Sequence, residues 1–278
     1  MVQKWCFTRE VTLRLPRLSF VSIQAVVLAA ASVVAVASAL PSSQAPQSNE
    51  ERIAVLSSNA MQGVLREVVP KFERESGRRV TITYGPAAVL ARQVDKGDRF
   101  DLAILTPAFV DAAVRSGAIL RDSVVTIARS PIALAIRKGS RKPDIRTANA
   151  LKATLMNSRA IASAREGASG PFFSELLQKL GIADEVKPKI KLTESGVDVG
   201  RSVANGEADL GVIPVSEIMQ VPEAEVLGRF PGDFGGFVTM VAGIGSQSRQ
   251  KEGAVAFMRF LMSPEVTAVF QAKGMERQ

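Results

Sequence analysis

The stretch Arg52–Ser76, RIAVLSSNAMQGVLREVVPKFERES, decides the reading of this chain, and Thr83–Gln93, TYGPAAVLARQ, repeats its plan. Ile53–Leu56 reads as a short buried strand and Ser57-Ser58-Asn59 as a polar turn. Met61, Val64, Leu65, Val68, Val69 and Phe72 then recur at spacings of three and four, which predicts one apolar face of a helix. Thr81–Tyr84, Gly85-Pro86-Ala87-Ala88 and Val89–Val94 give strand, small-residue turn and helix again. Each turn would end a strand and open a helix. Unpaired backbone N–H groups and the positive helix end favour an anion or a polar oxygen there.

The same rhythm continues. Phe100–Leu105 reads as a third strand and Pro107–Arg115 as a helix stopped at Ser116-Gly117. Ser123–Arg129 and Pro131–Arg137 read as two consecutive strands at which the chain passes from a first lobe to a second. Further on, Ala148–Leu155 is helical, Ala160–Ala164 a strand and Arg165–Gly170 a polar loop. Pro171–Leu180 is a helix closed by Gly181, and Lys189–Leu192 a strand. Glu194-Ser195-Gly196 is a turn, Val197–Ala204 a helix and Leu210–Pro214 a buried strand. Phe237–Gly243 and the amphipathic Lys251–Met262 then return to the first lobe, and Ser263-Pro264-Glu265 starts a last helix. Alternation of this kind predicts an α/β fold of two lobes, each a mostly parallel sheet flanked by helices, joined by two hinge crossings. The expected partition is 51–130 for the first lobe, 131–234 for the second and 235–278 for the return.

Ahead of these units, Met1–Arg17 is basic and Ala25–Ala37 is apolar apart from Ser32. Ala35-Val36-Ala37 or Ala37-Ser38-Ala39 supplies a small-residue cleavage site, so residues 1–39 read as a signal peptide and 40–50 as a Ser/Pro/Gln linker. An uncleaved anchor is the alternative. Exported in this way, the protein is expected in the periplasm.

Composition excludes several chemistries. There is no His and one Cys, Cys6, so neither a disulfide framework, a Cys/His zinc site nor a His-dependent triad is open. The net charge of +8 is spread without long Lys/Arg runs, and aromatic residues make up 5%, which argues against a nucleic-acid surface. A hydrolase would need a Ser–Lys pair or paired carboxylates. Asp95, Asp98 and Asp101 cluster where solvated acids are ordinary, and no G-x-S-x-G elbow occurs. No metal, cofactor or catalytic residue is expected.

From Arg52 to Gly274 the chain resembles the periplasmic solute-binding proteins of ABC importers, in the branch that is similar to molybdate-binding proteins. The resemblance is carried by Ile53–Met61, by Leu90-Ala91-Arg92-Gln93 within Tyr84–Gln93, and by Phe100-Asp101-Leu102-Ala103-Ile104. Leu177-Gln178-Lys179-Leu180-Gly181, Gly206-Glu207-Ala208-Asp209 and Phe260–Glu265 extend it. It implies a type II periplasmic-binding-protein-like fold that closes on one small anion, a molybdate-like oxyanion or an organic acid, and delivers it as a monomer to an inner-membrane permease. The implied ligand positions are Ser57, Ser58 and Asn59 in the first turn and Ala87 and Ala88, through their backbone, in the second. In the other lobe they are Ser169-Gly170, Ser195-Gly196 and Pro214. Ala60 falls where the family carries a serine, Pro86-Ala87-Ala88 replaces a serine-rich run, and Pro214 replaces a tyrosine.

Arg165 is the sharpest candidate for a charged contact, since a guanidinium grips a carboxylate or oxyanion with a two-pronged fork. Ser57, Ser58 and Asn59 suit a plain helix cap equally well. Arg92 reads as structural. Glu194 and Glu217 flank the expected cleft, where a carboxylate would repel an anion and could instead meet a cationic group or cap a helix. An exported sensing or adaptor module on the same fold is the alternative function.

Overall fold

The computed structural model describes residues 52–277; the leader and linker expectations lie outside the described residues. Its first three units are β1 (Arg52–Ser58) with α1 (Gln62–Ser76), β2 (Arg79–Gly85) with α2 (Ala87–Asp95), and β3 (Leu102–Leu105) with α3 (Pro107–Arg115). Between β1 and α1 the chain makes one 3-10 turn, with the Ser58 hydroxyl accepting from the Ala60 N–H at 3.4 Å. Val64, Leu65, Val68 and Phe72 bury the inner face of α1, and Gly77, at φ 68°, takes the left-handed position that ends it. Both β2 and β3 pair parallel to β1.

The chain then enters β4 (Val125–Arg137), a single 13-residue strand where the sequence reads as two. Pro131 prompts that reading, because a residue without an N–H ordinarily interrupts a ladder. Here it sits where the strand changes partners. Val125–Pro131 pairs with β9 (Phe237–Ile244), whereas Ile132–Ala135 pairs with β7 (Leu210–Pro214). β8 (Ala224–Arg229), which has no counterpart in the sequence reading, pairs with the same far half of β4. β5 (Ile161–Ala164) pairs parallel with β7 and with β6 (Ile190–Thr193). The sheet path is β2-β1-β3-β9-β4-β7-β5-β6. Two sets of three parallel strands are thus joined through the antiparallel β9 and β4.

Helices cover both sets: α4 (Ala148–Asn157), α5 (Ser169–Leu180), α6 (Ala183–Val186), α7 (Gly196–Ala204) and α8 (Val215–Ile218), then α9 (Lys251–Met262) and α10 (Thr267–Ala272). The start of α5 is Ser169, two residues before Pro171. α9 keeps the bounds its apolar spacing predicts, and Phe257 and Phe260 meet Phe72 of α1 with ring centroids 4.8 and 5.4 Å apart. That contact packs the C-terminal segment onto the first set of strands.

Two buried polar side chains tie these pieces together. The Ser130 hydroxyl, on β4 beside the change of partners, donates to the Gly274 carbonyl and accepts from the Ser216 N–H, both at 3.0 Å. Asp101, read from sequence among ordinary solvated acids, is instead buried. Its carboxylate accepts from the Ala54 N–H (2.7 Å), the Ser248 hydroxyl (2.7 Å), and the Arg249 and Gln250 N–H groups (3.0 and 3.1 Å). It therefore clamps β1 to the segment that leads into α9. Asp101→Ala would strand these donors out of reach of water, and a loss of about 2–4 kcal/mol in urea-unfolding stability is expected. A loss under about 0.5 kcal/mol, the scale of an ordinary surface change, would sink this role.

Candidate functional site

Parallel strands end at a common edge, and among the described residues each such end leads through a short turn or loop into a helix or a helical turn. The ends of β1, β2 and β3 place Ser58-Asn59, Pro86-Ala87 and Thr106 around one cavity of about 30 Å³. From the other set, the loop after β5 contributes Gly167-Ala168-Ser169, the turn after β6 contributes Ser195-Gly196, and the end of β7 contributes Pro214. The cavity therefore faces the first turns of α2, α3, α5 and α7, where the leading N–H groups have no partner within the helix. No Lys or Arg lies in this lining. A larger groove of about 610 Å³ runs beside α4, but it is open, and its Asp144 and Asp209 pair with the neighbouring Arg146 and Arg159.

The sequence-predicted ligand residues divide into two groups. Ser58, Asn59, Ala87, Ser169, Ser195, Gly196 and Pro214 lie in the lining. Ser57, Ala88, Gly170 and Arg165 do not. Ser57 is buried in β1 and turns its hydroxyl to the Ser58 carbonyl at 3.3 Å. Ala88 is one residue further into α2. Gly170 packs against β5 so closely that a Cβ would fall 2.9 Å from the Ala164 carbonyl. Arg165 is the substantive correction. Its backbone N–H continues the ladder to the Thr193 carbonyl at 2.8 Å, and its side chain, 56% exposed, pairs with Glu194 at 3.8 Å outside the lining.

Within the lining, some polar side chains are engaged and others are not. Ser195 spends its hydroxyl on Asp198, donating to Oδ2 at 2.6 Å and accepting from the N–H at 3.3 Å. Asn59 accepts from Gln220 Nε2 at 3.0 Å through its backbone carbonyl, a bond between the two sets of strands, and its side-chain amide bonds to no described residue. Ser169 is the most buried of those without a partner: only 2% exposed, its hydroxyl bonds to no described residue. A second link between the two sets is the ion pair of Arg92, on α2, with Glu166, ahead of α5, at 2.7 Å. Arg92 lies outside the lining.

Glu217 is the functional candidate that sequence reasoning set aside. It is 8% exposed on the short helix α8 and lines the cavity, and its carboxyl accepts a hydrogen bond from no described residue. Gly196 is what admits it, since a Cβ there would sit 1.4 Å from Glu217 Oε2. The available signal was an acid three residues beyond the end of a buried strand, a place that helix capping also explains.

Burial alone pushes the Glu217 carboxyl up from its ordinary 4.5 to about 7. An acid that holds its proton more tightly in the folded state stabilises the fold fully below its unfolded value, and that contribution is lost as the pH rises through the folded one. Without ligand, stability relative to Glu217→Gln is therefore expected to fall between pH 4.5 and about 7, by about 3 kcal/mol in urea-unfolding measurements. Parallel pH courses for the two proteins would refute the shift.

Comparison with known proteins agrees with the fold. The family described as "Bacterial extracellular solute-binding protein" matches residues 53–276. A Pseudomonas protein described as aconitate isomerase is 28% identical over 81% of this chain and 87% of its own length. The molybdate-binding protein ModA of Escherichia coli is 24% identical over 81% of this chain and 89% of its own. Among solved structures, the periplasmic molybdate-binding protein of Azotobacter vinelandii superposes with a TM-score of 0.70 at 21% identity, covering 81% of this chain and 99% of that one.

Proposed function

This chain belongs to the bacterial extracellular solute-binding protein family, and from that membership we propose that it captures one small anion in the cavity and delivers it to an ABC permease. The carrying observation is the convergence of helix starts from both sets of strands on one enclosed space. Backbone N–H groups and helix ends aimed at one point favour negative charge without any cationic side chain. The proposed lobes are 51–130 with 235–278, and 131–234. They would move about the partner change in β4 and the connector between β8 and β9, a hinge closure driven by ligand contacts available only when both lobes touch it. The protein would work in the periplasm after loss of its leader, as a monomer.

The ligand class is a molybdate-like oxyanion or a small organic acid. In a thermal-shift screen of molybdate, tungstate, sulfate, phosphate and small carboxylates, a ligand at about 100 times its Kd adds about 2.7 kcal/mol of stability. At least one of these anions is expected to raise the melting temperature. A panel without any shift would sink the transport reading and favour a sensing or adaptor role. For the tightest binder, Ser169→Ala is expected to weaken Kd about tenfold, or about 1.4 kcal/mol, in calorimetry.

A second reading, isomerisation of an unsaturated carboxylate, is favoured by Glu217 together with the likeness to the protein described as aconitate isomerase. Moving a double bond requires a group that takes a proton and returns it near neutral pH, and a buried carboxyl titrating at about 7 meets that need. Incubation with cis- and trans-aconitate, followed by proton NMR, separates the readings. Interconversion that disappears in Glu217→Gln supports the enzyme; a stable isomer ratio in the presence of demonstrated binding supports the carrier.

A further inference from the structure

The cavity has a chemical asymmetry. Its backbone contribution includes donors among the leading N–H groups of α2, α5 and α7, and Ser169 adds a hydroxyl. Against them stands one ionisable acceptor, the carboxyl of Glu217, nine-tenths buried and bonded to no described residue. No positive side chain lies in the lining to neutralise it. On the elements packed against α8, nearby charges are engaged elsewhere: Asp198 with Arg201 on α7, Arg129 of β4 and Arg229 of β8 with Glu276, and Glu225 of β8 with Lys142. Gly196 has no side chain, and the volume a Cβ would occupy there is filled by the carboxyl itself. The carboxyl thus reaches the start of α7, the same point toward which helix geometry draws an anion.

An anion and an ionised carboxylate cannot share that space without a proton between their oxygens, because two unscreened negative charges repel strongly where water is excluded. We propose that Glu217 contacts the ligand directly and that the pair holds one proton between them, so that the site selects small anions carrying an O–H of their own. Hydroxy acids and half-protonated acids fit this requirement. A fully deprotonated oxyanion does not, unless Glu217 has first taken up a proton. The inference rests on the anion-binding reading and narrows its ligand class. It makes Glu217 a specificity-determining residue.

The test uses two pairs of probes that differ little except in an O–H group. At pH 8 phosphate is mainly a dianion with one O–H while sulfate is a dianion with none, and citrate carries a hydroxyl that tricarballylate lacks. Calorimetric titration of the protein with at least one pair is expected to favour the O–H member by tenfold or more. In Glu217→Gln the amide offers a permanent N–H donor, so the ratio is expected to collapse toward one or to reverse. Glu217→Asp draws the carboxyl back by one methylene; it should keep the order of preference while weakening the preferred ligand, and it guards against misfolding of the amide variant.

Equal binding of both members in every pair that binds, with the ratio unchanged in Glu217→Gln, would overturn this inference and leave anion binding intact. Binding of no probe to the unmodified protein, at pH 8 or at pH 6, would overturn the anion-binding reading and this inference with it.

Discussion

The architecture depends on one strand serving two sheets. β4 runs 13 residues without a break, its first half hydrogen-bonded to β9 and its second half to β7 and β8. A strand shared in this way sets the two groups of parallel strands against each other across a common line. Ser130 strengthens that line by joining β4 to the first turn of α8 and to the C-terminal segment. The change of partners falls at Pro131, the one residue of the strand that has no N–H to lose. Any rigid-body movement of one group against the other has to be absorbed close to this point.

The site is a consequence of that arrangement more than of any special residue. Parallel strands present their carboxyl ends together, and each short turn starts a helix with its N–H groups unpaired. When two such edges face each other, the donors converge and the surrounding chain excludes water. Electrostatic interactions are strong in such a space, so one unpaired carboxyl weighs heavily. Glu217 is that carboxyl. Arg92 with Glu166 and Gln220 with Asn59 bridge the two edges beside the cavity, and both are polar contacts suited to being broken and remade.

Much of this was legible in the chain itself. Apolar residues three and four apart marked α1 and α9, and the repeated strand–turn–helix units called for parallel strands. Ser58-Asn59, Ala87, Ser169 and Ser195-Gly196 follow strands closely enough to be placed at a shared edge by sequence alone. What local pattern misread were the features set by distant partners. β4 looks like two strands because Pro131 breaks a ladder in isolation, and β8 was passed over because only its pairing with β4 makes it a strand.

The two charged candidates show the same division. Arg165 was favoured because a guanidinium suits an anion, but the ladder to Thr193 leaves its side chain in solvent beside Glu194. Glu217 was set aside because a carboxylate repels an anion in water, yet the packing of α8 against the start of α7 removes the water and raises its proton affinity. The amino-acid sequence by itself determined most of the strands, the amphipathic helices and the small, polar turns, because those follow from periodicity and backbone chemistry over a few residues. Only the tertiary structure decided which turns face one cavity and which acid stands in it, because burial and the loss of solvent belong to segments far apart in the chain.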